Sequence, residues 1–101
     1  GAVVTCRPVG VLNMEDESGE DAKILAVPTE DVTGLYRNVE NVNDVDELLR
    51  LQIHHFFDHY KDLEKGKWVK IHGWGDADAA RPEIMESVDR YHALPVKPEK
   101  W

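Results

Sequence analysis

The chain has 101 residues, enough for one domain built on one modest core. Aspartate and glutamate total 20 against 12 lysines and arginines, a net charge of −8 with the five histidines neutral. That balance excludes the basic face a nucleic-acid backbone requires, but not small phosphorylated ligands recruited through divalent cations. An apolar share of 42% beside 32% charged residues reads as a soluble globular domain, and no apolar run approaches the ~20 residues of a membrane span.

Cys6 is the single cysteine, so neither an internal disulfide framework nor a cysteine zinc site is expected. It fits a reducing, cytoplasmic compartment. No signal peptide is visible. The chain opens at Gly1 and runs almost at once into an apolar stretch, which reads as a trimmed chain or a fragment.

Ala2 to Met14 is valine-rich and reads as a strand, with Pro8 marking an edge position or a bulge. Glu15 to Asp21 holds five carboxylates in seven residues, and Ala22 to Val27 resumes as a strand ended by Pro28. A two-residue loop at Ser18-Gly19 would join the two as a β-hairpin. Residues 29 to 42 read as a long polar connection with one helical turn. From Asn43 the apolar residues Val45, Leu48, Leu49, Ile53, Phe56, Phe57, Tyr60 and Leu63 recur at three- and four-residue steps, which predicts a helix. Asp44 is its expected N-cap, with Glu47 completing a capping box, and Gly66 its stop. Lys67 to Trp74 alternates as a strand, and Gly75-Asp76 turns the chain. Ala77 to Tyr91 is a second helix with Ile84, Val88 and Tyr91 on one face, provided Pro82 falls in the first turn. Residues 93 to 101 read as a tail. The fold class is therefore α+β, with about three strands and two helices.

The acidic hairpin carries the first functional argument. A Ser18-Gly19 loop would set Glu17 opposite Glu20, Asp16 opposite Asp21 and Met14 opposite Lys23, with Asp16, Asp21 and Lys23 on one sheet face. Like charges face to face are destabilising. Such pairs are either fully solvated or hold a cation between them. Two aspartates with a lysine two positions on suit a hard dication with a phosphate oxygen beyond it. An EF-hand does not fit: Gly19 at the invariant glycine would put Met14 and Leu25 at ligand positions.

His54, His55 and His59 lie on the first helix. His55 and His59 could share a face, but no third zinc ligand is evident. A partner-facing, pH-sensitive surface is the simpler reading. Tyr60 and Lys61, near the end of that helix, either complement its dipole or offer a phenol and an ammonium to a phosphate. Trp68, Trp74 and Trp101 read as core or interface. Nothing supports nucleophilic catalysis by Cys6 or Ser18.

Two blocks go further. Cys6-Arg7-Pro8-Val9-Gly10-Val11-Leu12, with Met14 and Asp16-Glu17-Ser18-Gly19-Glu20-Asp21-Ala22-Lys23, closely resembles the soluble family I inorganic pyrophosphatases of bacterial type. So does the run His55 to Lys70, followed by Gly73-Trp74. The likeness spans about Val3 to Tyr91. It implies Mg²⁺-dependent hydrolysis of pyrophosphate to two orthophosphates. It assigns Asp16 and Asp21 as magnesium ligands, these two and Lys23 as catalytic residues, and Lys23, Tyr60 and Lys61 as phosphate-binding. It also implies a five-stranded OB-like barrel flanked by helices, and a hexamer in bacterial members. The family's D-x-D-P-x-D motif does not occur here. Residues 1–92 therefore resemble the C-terminal part of such a domain, a partial barrel expected to be inactive alone and to associate. A non-catalytic OB-like module that binds divalent cations is the alternative.

Overall fold

The computed structural model describes residues 1–97. Strand β1 (Cys6–Asp16) is the axis of a four-stranded antiparallel sheet. Its valine-rich sequence is buried on both faces at Val9, Val11, Leu12 and Met14, as β-branched and long apolar side chains on a covered strand should be. Along one edge it pairs with β2 (Gly19–Glu20) and then β3 (Lys23–Pro28), which together form one returning arm. Along the other edge it pairs with β4 (Val69–Asp76) from Gly10 to Asp16. The sheet thus amounts to three ribbons with β1 in the middle, and an α+β fold holds.

Pro8 stands opposite Ala26 and Gly10 opposite Leu25, so Val9 is the extra residue of a bulge. A prolyl ring without an N–H is tolerated there on a central strand. Gly10 sits under the 3₁₀ turn η1 (Val42–Asp44), where an added Cβ would come within 2.8 Å of the Val42 Cβ. The close approach of the long connection to the sheet requires this glycine. Val9, Val27 and Val45 form the centre of the core, with Leu25 and Val39 packed against it.

Helix α1 (Glu47–His59) and helix α2 (Ala77–Ala93) take opposite faces of the sheet. Leu12, Lys23 and Trp74 share one cavity with Ile53 and Phe57 of α1. Asn13, Ile24 and His72 line a cleft of about 550 Å³ with Glu83, Ser87 and Arg90 of α2. As the periodicity predicts, Ile84, Val88 and Tyr91 share an apolar hollow, which they form with Ile24.

Several expectations are corrected. The first strand begins at Cys6, leaving Val3 and Val4 exposed. The hairpin turns one residue earlier than the composition suggests. Glu15 faces Glu20, Asp16 faces Gly19 and Leu12 faces Lys23, with Glu17-Ser18 as the loop. The cause is local. The Ser18 N–H donates to Asp16 Oδ1 at 2.8 Å, an Asx-type turn that ends the strand at Asp16. Gly19, at φ 117°, is the turn's one positive-φ residue, which excludes the I′ loop across Ser18-Gly19.

Helix α1 starts at Glu47 and gives way to turns after His59. Its expected cap is used elsewhere: the Asp44 carboxylate accepts from the Glu40 and Asn41 N–H groups, which holds its pKa below the usual aspartate value. Gly75 and Asp76 finish β4 instead of turning, and Asp76 caps α2 by accepting from the Ala79 N–H. Pro82 falls in the second turn of α2, where it removes one amide donor from the helix ladder. Trp101 and the end of the tail lie outside the described residues.

Candidate functional site

The candidate residues come from the end of β1, the connection between β2 and β3, the start of β3 and the turn that follows α1. Because the register moves by two in total, the alternation of faces survives. Leu12, which lines the cavity against α1, and Asp16 fall at alternating positions of β1. Lys23, paired with Leu12, lines the same cavity.

Two groups of ion pairs result, one around Lys61 and one at Lys23. Lys61 Nζ lies 2.8 Å from Asp16 Oδ2 and 3.3 Å from Glu17 Oε1, with the lysine and aspartate side chains 14% and 10% exposed. Lys23 Nζ lies 2.8 Å from Asp21 Oδ2, with both side chains about a third exposed (34% and 30%). Aromatic rings join the two pairs. Lys23 Nζ sits 5.5 Å from the centre of the Phe57 ring. Phe57 meets Tyr60 edge to face at 5.5 Å, and Lys61 Nζ lies 5.5 Å from the Tyr60 ring centre. Asp21, Lys23, Phe57, Tyr60, Lys61 and Asp16 therefore form one continuous chain of contacts. All five predicted site residues belong to it. Asp21 also reaches the wall of the 550 Å³ cleft on the α2 side.

The electrostatics follow the contacts. The hydrogen bond from Lys61, helped by the Ser18 N–H, holds the Asp16 carboxyl below its ordinary range. Glu17 is pulled down to about 2, first by its own backbone N–H and then by Lys67, the Trp68 N–H and Lys61. Lys67 Nζ stands 3.0 Å from Glu17 Oε1. Lys61 is shifted upward, chiefly by Asp16 and then by Glu17, so it is an ammonium at any physiological pH. The cluster is an array of charges suited to binding anions or bridging oxygens through a cation.

Sequence reasoning missed Glu17 and Phe57. Glu17 was set opposite Glu20, although its place beside Asp16 in the turn lets it reach both Lys61 and Lys67. Phe57 read as one more apolar helix position, yet the i, i+3 step to Tyr60 was the available signal. The histidines stand apart. His59 Nδ1 pairs with Asp62 at 2.8 Å, which raises its pKa, and its ring lies 4.6 Å from that of His55. Among the described residues no three His, Cys, Asp or Glu side chains group as metal ligands, and no helix is long and apolar enough to cross a membrane.

Comparison with known proteins gives a consistent result. The family described as "Inorganic pyrophosphatase" matches residues 1–92. A protein named inorganic pyrophosphatase from Salmonella typhimurium is 61% identical over 90 residues, which covers 89% of this chain and 51% of that protein. The one from Escherichia coli K12 is 59% identical over the same spans. Among solved structures, the inorganic pyrophosphatase of Helicobacter pylori superposes with a TM-score of 0.86 at 39% identity, covering 91% of this chain and 54% of that one. That of Thermus thermophilus gives 0.81 at 45% identity, covering 92% and 53%. The chain spans about half the length of the curated relatives it matches.

Proposed function

Because the chain belongs to the inorganic pyrophosphatase family, we propose that it forms part of a Mg²⁺-dependent enzyme that hydrolyses pyrophosphate to two orthophosphates. The relatives are about twice as long, so residues 1–92 contribute one portion of the domain and the other portion supplies further strands and metal ligands. The observation that carries the reading is the continuous cluster in which Asp16, Asp21, Lys23, Tyr60 and Lys61 meet, from β1, the start of β3 with the residues before it, and the turn after α1.

The donor set suits Mg²⁺. Asp16 and Asp21 are hard oxygen donors, and each has a cationic group at 2.8 Å while keeping lone pairs free beyond that contact. Magnesium is commonly bound by one or two carboxylates, with water and substrate phosphate completing its shell. When bound, it neutralises phosphate oxygens and lowers the pKa of coordinated water.

This chain's own residues have three tasks. Asp16 and Asp21 would hold the cations. Lys23, Lys61 and the Tyr60 hydroxyl bind the phosphoryl oxygens, where charge develops on the leaving group. Glu17 keeps Lys61 and Lys67 aligned. The arrangement is preorganised: Lys61 is fixed by two carboxylates and Lys23 by one carboxylate and a ring, so little reorientation accompanies binding. A cytoplasmic setting and assembly into a homo-oligomer belong to the same proposal.

Phosphate release from pyrophosphate by the full-length protein, with and without Mg²⁺, tests it. Activity that requires the cation, and a weaker response to Mg²⁺ in both Asp16→Asn and Asp21→Asn, is the expected result. Unchanged metal dependence in both variants would remove these residues from the site. Binding without turnover would favour a non-catalytic cation-binding module.

A further inference from the structure

We infer that Phe57 is a positioning residue for the reaction, holding the Lys23 ammonium in line with the Tyr60–Lys61 pair; this rests on the pyrophosphatase reading above. Lys23 starts a strand and is about one-third exposed, with a long flexible stem. Left to itself, such a side chain samples many rotamers, and fixing it costs entropy at each binding event.

Two contacts fix it here. The Asp21 carboxylate takes the ammonium from one side at 2.8 Å. The Phe57 ring takes it from another, with its centre 5.5 Å away, inside the range of cation–π attraction. The Asp21 contact alone cannot settle the position. Asp21 is two residues from Lys23 on the same arm, so the pair could swing together, and a metal-binding role would draw that carboxylate away. Phe57 belongs to a different element. Its ring is clamped in turn by Tyr60 at 5.5 Å, edge to face, and by Phe56 at 5.0 Å in the same geometry.

Phe57 thus registers the β3 lysine against the α1 phenol and ammonium, so that the strand cation and the helix cation present a fixed spacing to a diphosphate. Ile53, Leu12 and Trp74 line the apolar cavity beneath it. A low-polarity floor strengthens the attraction between ring and ammonium. Phe57 does not touch the reacting atoms and acts through Lys23.

A double-mutant cycle in the full-length enzyme tests this, with pyrophosphate hydrolysis and thermal unfolding measured on each variant. Phe57→Leu and Phe57→Met both keep apolar bulk while removing the ring, so a folding defect in one leaves the other to report. The expected result is a three- to tenfold rise in KM with a smaller change in kcat, restored towards wild type by Phe57→Tyr or Phe57→Trp. In a Lys23→Ala background the same substitutions should change KM by less than about twofold, because the ring then has no ammonium to hold. An unchanged KM in the ring-less variants, or an effect that persists in full without Lys23, overturns the role assigned to Phe57. A wild-type enzyme that releases no phosphate from pyrophosphate overturns the functional reading itself, and the inference with it.

Discussion

The two lysine–aspartate pairs have the same short distance and opposite characters. Lys61 and Asp16 are 45 residues apart, mostly buried, and reinforced by Glu17 and the Ser18 amide. Lys23 and Asp21 are two residues apart and about one-third exposed, with a ring as the additional support. The first pair ties the turn that follows α1 to the end of β1. The second is local and partly open to water, which screens its attraction. Equal lengths therefore conceal a sheltered contact and a screened one.

The sharpest way to break this contrast is Lys61→Ala. It removes the proposed phosphate-binding cation and takes from Asp16 its one ion-pair partner among the described residues, leaving Glu17 to Lys67 alone. A loss in kcat of about 10² to 10³ is expected, with a lower thermal midpoint. Lys23→Ala should cost less, about tenfold to 10² in kcat/KM, and leave the midpoint near wild type. Equal losses of stability in the two variants would erase the distinction.

Acid sharpens it next. Asp16 and Glu17 have depressed pKa values, Glu17 about 2. A depressed carboxylate contributes stability above its unfolded value and loses it as pH falls through the folded one. Stability should thus hold down to about pH 4.5 and decline from there towards pH 2. Lys61, shifted upward, contributes fully below about pH 10.5 and loses its contribution as pH rises further. Unfolding midpoints across both ranges check this, and Glu17→Gln should flatten the acid limb. The smallest effect expected is from salt: 0.5 M NaCl should alter the stability of the Lys23→Ala variant and the wild type alike, since the Asp21 pair is already screened.

Much of this was legible in the chain. The apolar run of β1, the bulge at Pro8, the period of α1 and the apolar face of α2 all follow from side-chain spacing. What failed were decisions made by single polar side chains. Asp16 chose the turn by accepting from Ser18, and Asp44 capped the 3₁₀ turn instead of α1. Neither choice is visible in periodicity, because each depends on where one carboxylate finds a backbone donor. The site fared better than the register. A slip of two residues moves the partners yet keeps the alternation, so Asp16 still met Lys61 and Lys23 still met Phe57, while Asp21 also reached the α2-side cleft. The apolar face of α1 was legible too, but the helix contains no buried residue, with Leu48, Leu49, Leu51 and Phe56 exposed. A pattern announces what a helix is made to cover, and not what stands opposite it.

Every pairing in the sheet runs through β1: among the described residues β2, β3 and β4 bond to it and to no other strand. No pair of ribbons can survive its departure, so a fluctuation that frees this segment abolishes the whole ladder at once. Amide deuteration should accordingly show Val11 and Leu12 exchanging last, at the rate of complete denaturation, with no separate, earlier-opening layer inside the sheet.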